Sequence, residues 1–248
     1  MNRDWNNKVR LILILLLGFN GISEAQSVKK DTILYNAAQN AKQFYVKAIG
    51  EQSGLYNGEE YNYYTGLEGV AYFKSKDFYS DGKIVYDGFL YEKVPLLYDL
   101  YKDKIISLLP NGFTKYSFVN EKVNSFDLYN HHFIRVDIKD MTKDILLQGG
   151  FFDQIYNGKC KILVKRTKIS QETMGTQTLK KYFINKDIYY MVKDNIYSAF
   201  SGEKKLLTLF GDRKKELQQY LKDNKIKFNK DPENAMIKLA TYYDSLFN

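Results

Sequence analysis

Cysteine and histidine are nearly missing from this chain: one of the first and two of the second occur in 248 residues. A lone Cys160 cannot close an intramolecular disulfide, so packing alone must hold the fold. It lies far from the apolar N-terminal run and cannot be the acylated residue of a lipoprotein. Its place before Lys161-Ile162-Leu163-Val164 reads as a structural thiol at the start of a strand. The two histidines are neighbours, His131-His132. On a strand, adjacent side chains point to opposite faces, which keeps the pair from chelating one ion. A Gly-x-Ser-x-Gly elbow is absent, and Gly149-Gly150 lacks the other glycines and the terminal Lys-Ser/Thr of a phosphate loop. After residue 19 there is no apolar run long enough to span a bilayer as a helix. Catalytic, cofactor and metal residues are accordingly assigned to none, and an enzyme is not expected.

What is present begins with an address. Arg3, Lys8 and Arg10 precede the apolar run Leu11 to Phe19, and Ser23-Glu24-Ala25 offers small residues where signal peptidase reads them. This pattern predicts a signal peptide over 1–25 with cleavage before Gln26. The expected location is the periplasm, with the extracellular space as the alternative. The leader's three basic residues are nearly balanced by Asp4 and Glu24, so most of the formal charge of +8 belongs to the exported part. Such a charge suits lipid headgroups or acidic polysaccharide, while export argues against nucleic acid.

Residues 26–248 are long enough for one sizeable domain. Apolar and small residues recur at Leu34, Ala37, Ala38, Ala41, Phe44, Tyr45 and Ala48 with a 3.6-residue period, predicting a helix over 33–49 laid on the core. Asp31 or Thr32 would cap it and Gly50 would end it. From residue 54 to about 191, short apolar-aromatic stretches alternate with Asn57-Gly58, Asp81-Gly82, Pro110-Asn111-Gly112 and Asn157-Gly158, read as tight turns. Expected strands include 60–64, 69–73, 83–86, 89–91, 96–100, 104–109, 125–128, 132–136, 150–156, 161–167, 182–185, 188–192 and 196–198. Many short strands with tight turns mean a mainly antiparallel sheet. Its 22 tyrosines suit that setting, burying a ring while the hydroxyl reaches a sheet margin.

A helical portion, 204–248, is expected to pack on that sheet. Its last helix has a clear start: Asp231 at N-cap, Pro232 at N1 and Glu233 at N2. The fold class is thus α+β, a curved antiparallel sheet with an N-terminal helix and C-terminal helices; a half-barrel or complete barrel is the alternative. Its strands are mostly too short for a membrane-spanning barrel.

Two charge groups stand out. Asp77, Asp81, Asp87, Asp99 and Asp103 fall in a tyrosine-rich stretch and read mainly as turn residues. If two of Asp81, Asp87, Asp99 and Asp103 met in one cleft, they would form a hydrolytic carboxylate pair. Among the bases, Lys161 and Lys165 would share one face of a strand, and Arg166 and Lys168 the other. The C-terminal lysines, including Lys204, Lys205, Lys214, Lys215 and Lys222, read as a solvated helical surface diluted by Glu216 and Asp223.

The strings Leu55-Tyr56-Asn57-Gly58-Glu59-Glu60-Tyr61, Gly69 to Phe73, Val85-Tyr86-Asp87-Gly88, Val94-Pro95-Leu96-Leu97-Tyr98-Asp99, Lys165-Arg166-Thr167-Lys168 and Lys214-Lys215-Glu216-Leu217 together resemble a group of uncharacterised exported proteins of Bacteroidetes-type bacteria. The resemblance implies a Gram-negative envelope setting and carries no active-site residue with it. The expected role is non-enzymatic: binding, structural or adaptor work with an envelope protein or an apolar or anionic envelope component. A lipid or lipoprotein carrier and a carboxylate-dependent envelope hydrolase are the alternatives. Oligomeric state and ligand identity leave no mark in the sequence.

Overall fold

The computed structural model describes residues 33–38, 40–41, 44, 54–137, 149–174 and 179–247. The predicted signal peptide, Asp31, Thr32 and Gly50 lie outside them. Two compact units divide the chain, Met1–Gly50 and Glu51–Asn248. In the first, the described positions between 33 and 44 are helical, as their periodicity predicts. Ile33, Leu34, Tyr35 and Phe44 are exposed there.

The second unit holds thirteen strands. In chain order they are β1 (Glu59–Glu60), β2 (Ser80–Tyr86), β3 (Phe89–Asp99), β4 (Lys104–Leu108), β5 (Lys115–Ser117), β6 (Val123–Leu128) and β7 (His131–Val136). There follow β8 (Gly150–Asn157), β9 (Lys161–Lys165), β10 (Lys168–Met174), β11 (Leu179–Asn185), β12 (Ile188–Lys193) and β13 (Ile196–Phe200). Eleven form one sheet in the order β1-β5-β4-β3-β2-β6-β7-β8-β9-β12-β13, and β10 and β11 make a separate hairpin. Every pairing between named strands is antiparallel, as the short strands and tight turns require.

The sheet bends sharply. In flat pleating, β3 and β8 would lie about 19 Å apart, four strand spacings away. Instead the ring of Tyr98 on β3 touches Phe126, Phe133 and Phe151, with centroids 5.1, 5.1 and 6.1 Å away. Phe126 and Phe133 stack at 4.6 Å in the middle of this aromatic core. The curve does not close: β1 and β13, at the ends of the sheet, are not paired among the described residues, which rules out the barrel alternative.

Several local expectations change. Asp81-Gly82 is not a turn but part of β2, where the register slips between Gly82 and Lys83. A Cβ at Gly82 would lie 2.5 Å from the Asp127 carbonyl oxygen, so glycine is needed for the close approach of β6. Segments 89–91 and 96–99 belong to one strand, and Leu100 falls in the turn after it. Pro95 lies opposite Asp81 of β2 but before pairing with β4 begins at Leu97, so only one edge of β3 is in a ladder there. Segment 69–73 makes only an isolated bridge, Tyr72 with Asp99, and 60–64 is strand only at its first residue. Asn57-Gly58 leads into β1, whose partner is the distant β5 rather than a hairpin neighbour.

Three helices close the chain: α1 (Gly202–Leu209), α2 (Lys214–Asp223) and α3 (Pro232–Ser245). Leu206, Leu217, Met236 and Leu239 pack with Ile162, Met191 and Phe200 of the sheet, so the helical portion does lie on it. Buried Cys160 belongs to the same core, and burial pushes its thiol up to about 12. The α3 start forms as its sequence dictates, with Pro232 at N1 and Asp231 Oδ1 accepting from the Asn234 backbone N–H at 3.3 Å.

Candidate functional site

Two polar constructions flank the segment Lys165-Arg166-Thr167-Lys168. β9 ends at Lys165, so strict side-chain alternation ends there too. Contrary to the expected pairing of faces, Lys165 and Lys168 line one cleft together. Arg166 turns away into a knot of carboxylates.

In that knot Arg166 is only 8% exposed. Its Nη2 and Nε donate to Asp153 Oδ2 at 2.7 and 3.0 Å. Nη1 and Nη2 fork onto the Glu233 carboxylate at 2.6 and 2.9 Å, and Nη1 also reaches Asp187 at 3.0 Å. His131 Nδ1 lies 2.7 Å from Asp153, and Tyr189 donates to Glu233 at 3.1 Å. Burial pushes the Glu233 carboxyl up, yet Arg166 and Tyr189 outweigh it and hold that carboxyl below its ordinary value. Burial likewise opposes the Arg166 charge, and Glu233 and Asp153 more than restore it. The knot ties β7, β8, the segment after β9, β12 and α3 together. Every guanidinium nitrogen of Arg166 meets a carboxylate there.

The cleft on the other side has the opposite balance. About 630 Å³ in volume, it is lined by Lys102, Lys165, Lys168 and Lys186 with one carboxylate, Asp103. Tyr101, Tyr190, Ile169 and Ile188 supply apolar wall, and Thr167 and Ser170 supply hydroxyls. Lys165 is buried and donates to Asp103 Oδ2 at 2.7 Å and to the Phe151 carbonyl at 3.2 Å. The buried Tyr98 hydroxyl donates to Asp103 Oδ1 at 2.6 Å. Burial, then the Asp103 charge, pushes that hydroxyl well above its ordinary range. Gly150 makes room for the pair: at φ 127° its absent Cβ would sit 1.9 Å from Asp103 Oδ2. Lys168, also buried, donates to the Val70 carbonyl and to Ser75 Oγ, the latter at 2.9 Å. With no carboxylate among those partners, burial lowers its pKa.

The rim is set by Asp99 at the end of β3. Fully buried, it accepts from the backbone N–H groups of Tyr101 and Lys102 at 2.8 and 3.0 Å. Its other oxygen takes the hydroxyls of Tyr61, at 2.8 Å, and Tyr64. Four donors therefore fix the β3–β4 turn that presents Tyr101, Lys102 and Asp103.

The four aspartates of the hydrolytic alternative are thus placed separately. Asp81 lies within β2, Asp87 sits in the β2–β3 turn, Asp99 braces the next turn, and Asp103 alone lines the cleft. His131 and His132 find different partners, Asp153 and Asp127. A larger depression of about 880 Å³ beside His132 interleaves Lys83 and Lys93 with Asp81, Glu92 and Asp127. There Lys83 pairs with Glu92, so no excess cation remains of the kind the lysine cleft keeps. Sequence reasoning singled out Lys165 and Lys168 but missed Tyr101, Lys102 and Lys186. No local motif marks those three; the turn braced by Asp99 and the turn between β11 and β12 bring them to one mouth.

Comparison with known proteins adds no relative: no family model, curated protein or solved structure matches the chain.

Proposed function

We propose that this is an exported, non-enzymatic binding protein that holds an anionic component of the cell envelope in the four-lysine cleft. One observation carries the reading: four lysines line one cleft with a single carboxylate, and two of the four are buried. Lys165 is paired with Asp103, but buried Lys168 bonds no carboxylate, and burying such a charge is costly. A bound anion would offset that cost, and a cleft of this volume is of ordinary size for a ligand. The basic-apolar-small leader supports export, and the basic surface suits envelope anions.

The test uses tripolyphosphate as a small polyanion and titration calorimetry as the readout. Lys102 and Lys186 are exposed, so Lys102→Gln with Lys186→Gln should leave the fold intact. Each lost charged hydrogen bond is worth about 1.5–3 kcal/mol, so the pair should weaken binding at least about tenfold. Lys214→Gln, Lys215→Gln and Lys222→Gln together should change it by less than about twofold, since screening limits distant exposed charges to roughly 8 Å. Equal losses from both sets, or no binding by the parent protein, would overturn the reading. Export is checked separately: protein recovered outside the cytoplasm should begin at or near Gln26, and uncut cytoplasmic protein would reject it.

A further inference from the structure

A second, smaller pocket of about 330 Å³ adjoins the lysine cleft, walled by Tyr63, Tyr64, Tyr72, Val70 and Phe183. Only an aromatic ridge separates the two. Tyr101 of the cleft packs edge-on against Tyr64 and Phe183 of the pocket, with centroids 5.5 and 5.3 Å away. Lys168 joins them from below, lining the cleft while its ammonium bonds to Val70 of the pocket. Tyr101 itself is 40% exposed, and its hydroxyl stands 3.5 Å from Ser170 Oγ. Charge, an exposed ring and a second aromatic chamber are therefore neighbours.

From this arrangement, and resting on the anion-binding reading above, we infer that the ligand is an acidic oligosaccharide crossing the ridge from cleft to pocket. A pyranose ring has an apolar C–H face and a polar rim of hydroxyls. Tyrosine matches that division, with an apolar ring body and a polar tip. Acid groups on the sugars meet the lysines, one sugar lies against Tyr101, and the next enters the tyrosine-lined pocket. Hydroxyls of Thr167, Ser170 and Tyr101 suit the sugar rim, as donors and acceptors both. An acyl chain fits less well, because lysines and hydroxyl side chains interrupt the apolar wall of the cleft. An acidic peptide would satisfy the lysines but gives no reason for a ring-faced ridge between two chambers.

Calorimetry with tetragalacturonate, cellotetraose, tetraglutamate and anionic phosphatidylglycerol vesicles separates these chemistries. Tetragalacturonate should bind at least tenfold more tightly than the neutral sugar or the acidic peptide. Tyr101→Ala should weaken tetragalacturonate at least tenfold while leaving tripolyphosphate within twofold, and Tyr101→Phe should keep the ring and restore sugar binding. The preserved tripolyphosphate affinity shows that the variant is folded. Equal binding of tetraglutamate, cellotetraose or vesicles, or indifference to Tyr101→Ala, would overturn the oligosaccharide. Should tripolyphosphate bind through Lys102 and Lys186 while tetragalacturonate does not, this inference falls and the anion-binding reading stands. Failure of both probes removes both.

Discussion

The Arg166 knot and the lysine cleft are built from neighbouring residues and similar chemistry, yet they balance charge in opposite ways. Arg166 meets Asp153, Asp187 and Glu233, while the four lysines that line the cleft share it with one carboxylate, Asp103, paired to Lys165. A buried cation surrounded by carboxylates is held in one geometry and has nothing left to offer a ligand. Cations in excess over carboxylates keep donors for something that arrives from outside. Charge stoichiometry, more than the number of charged groups, separates the structural knot from the proposed binding cleft.

The sharpest way to break that comparison is Arg166→Met. It strands Asp153, 1% exposed, with only His131 beside it. Removing one partner of a buried pair costs about 3–5 kcal/mol. Urea denaturation should show that loss, with little dependence on salt. A cost below about 1 kcal/mol would mean that the knot contributes no more than a surface pair.

Acid titration sharpens the same contrast. The Glu233 carboxyl is depressed in the folded state: burial raises it, but Arg166 and Tyr189 outweigh burial. A depressed carboxylate binds protons more weakly when folded than unfolded. Its stabilisation is therefore present above the unfolded carboxyl range and lost as pH falls through the folded value. The unfolding midpoint should drop on going below about pH 4.3. In Arg166→Met the largest opposing influence is gone and the Tyr189 hydroxyl remains to oppose burial, so the depression and its acid limb should shrink. An unchanged acid limb in the variant would show that Arg166 does not govern Glu233.

A smaller effect comes from the cap that aims Glu233 at the knot. Asp231→Ala removes the acceptor for the Asn234 N–H and should cost about 0.5–2 kcal/mol. An unchanged melting midpoint would mean that α3 is fixed by Arg166 and its packing, not by its own start.

Legibility in the sequence followed the range of the interactions. The α3 start was readable because Asp231, Pro232 and Glu233 act within one helical turn. The antiparallel class was readable from short stretches joined by turn pairs such as Asn157-Gly158, which connects β8 to its antiparallel neighbour β9. β10 was missed because Lys-Ile-Ser-Gln-Glu-Thr-Met is exposed at all but its first residue and so has no apolar period. Gly82 misled because a glycine making room for a neighbouring strand looks, in sequence, like one making a turn. The cleft was out of reach for a different reason: Lys102, Lys168 and Lys186 meet only after two turns and a hairpin have formed.

β2 has one edge on β3 and the other on β6. The first edge is filled across the two-residue Asp87-Gly88 turn, whereas the second waits for a strand that starts at Val123. A chain leaving a ribosome or a membrane pore emerges N-terminus first. For the interval in which β3, β4 and β5 are already out and β6 is not, β2 offers an open row of N–H and C=O groups to any other strand. Two copies emerging side by side can satisfy those groups with each other. The order in which the chain appears thus gives β6 a second role, as the strand that closes this open edge of β2.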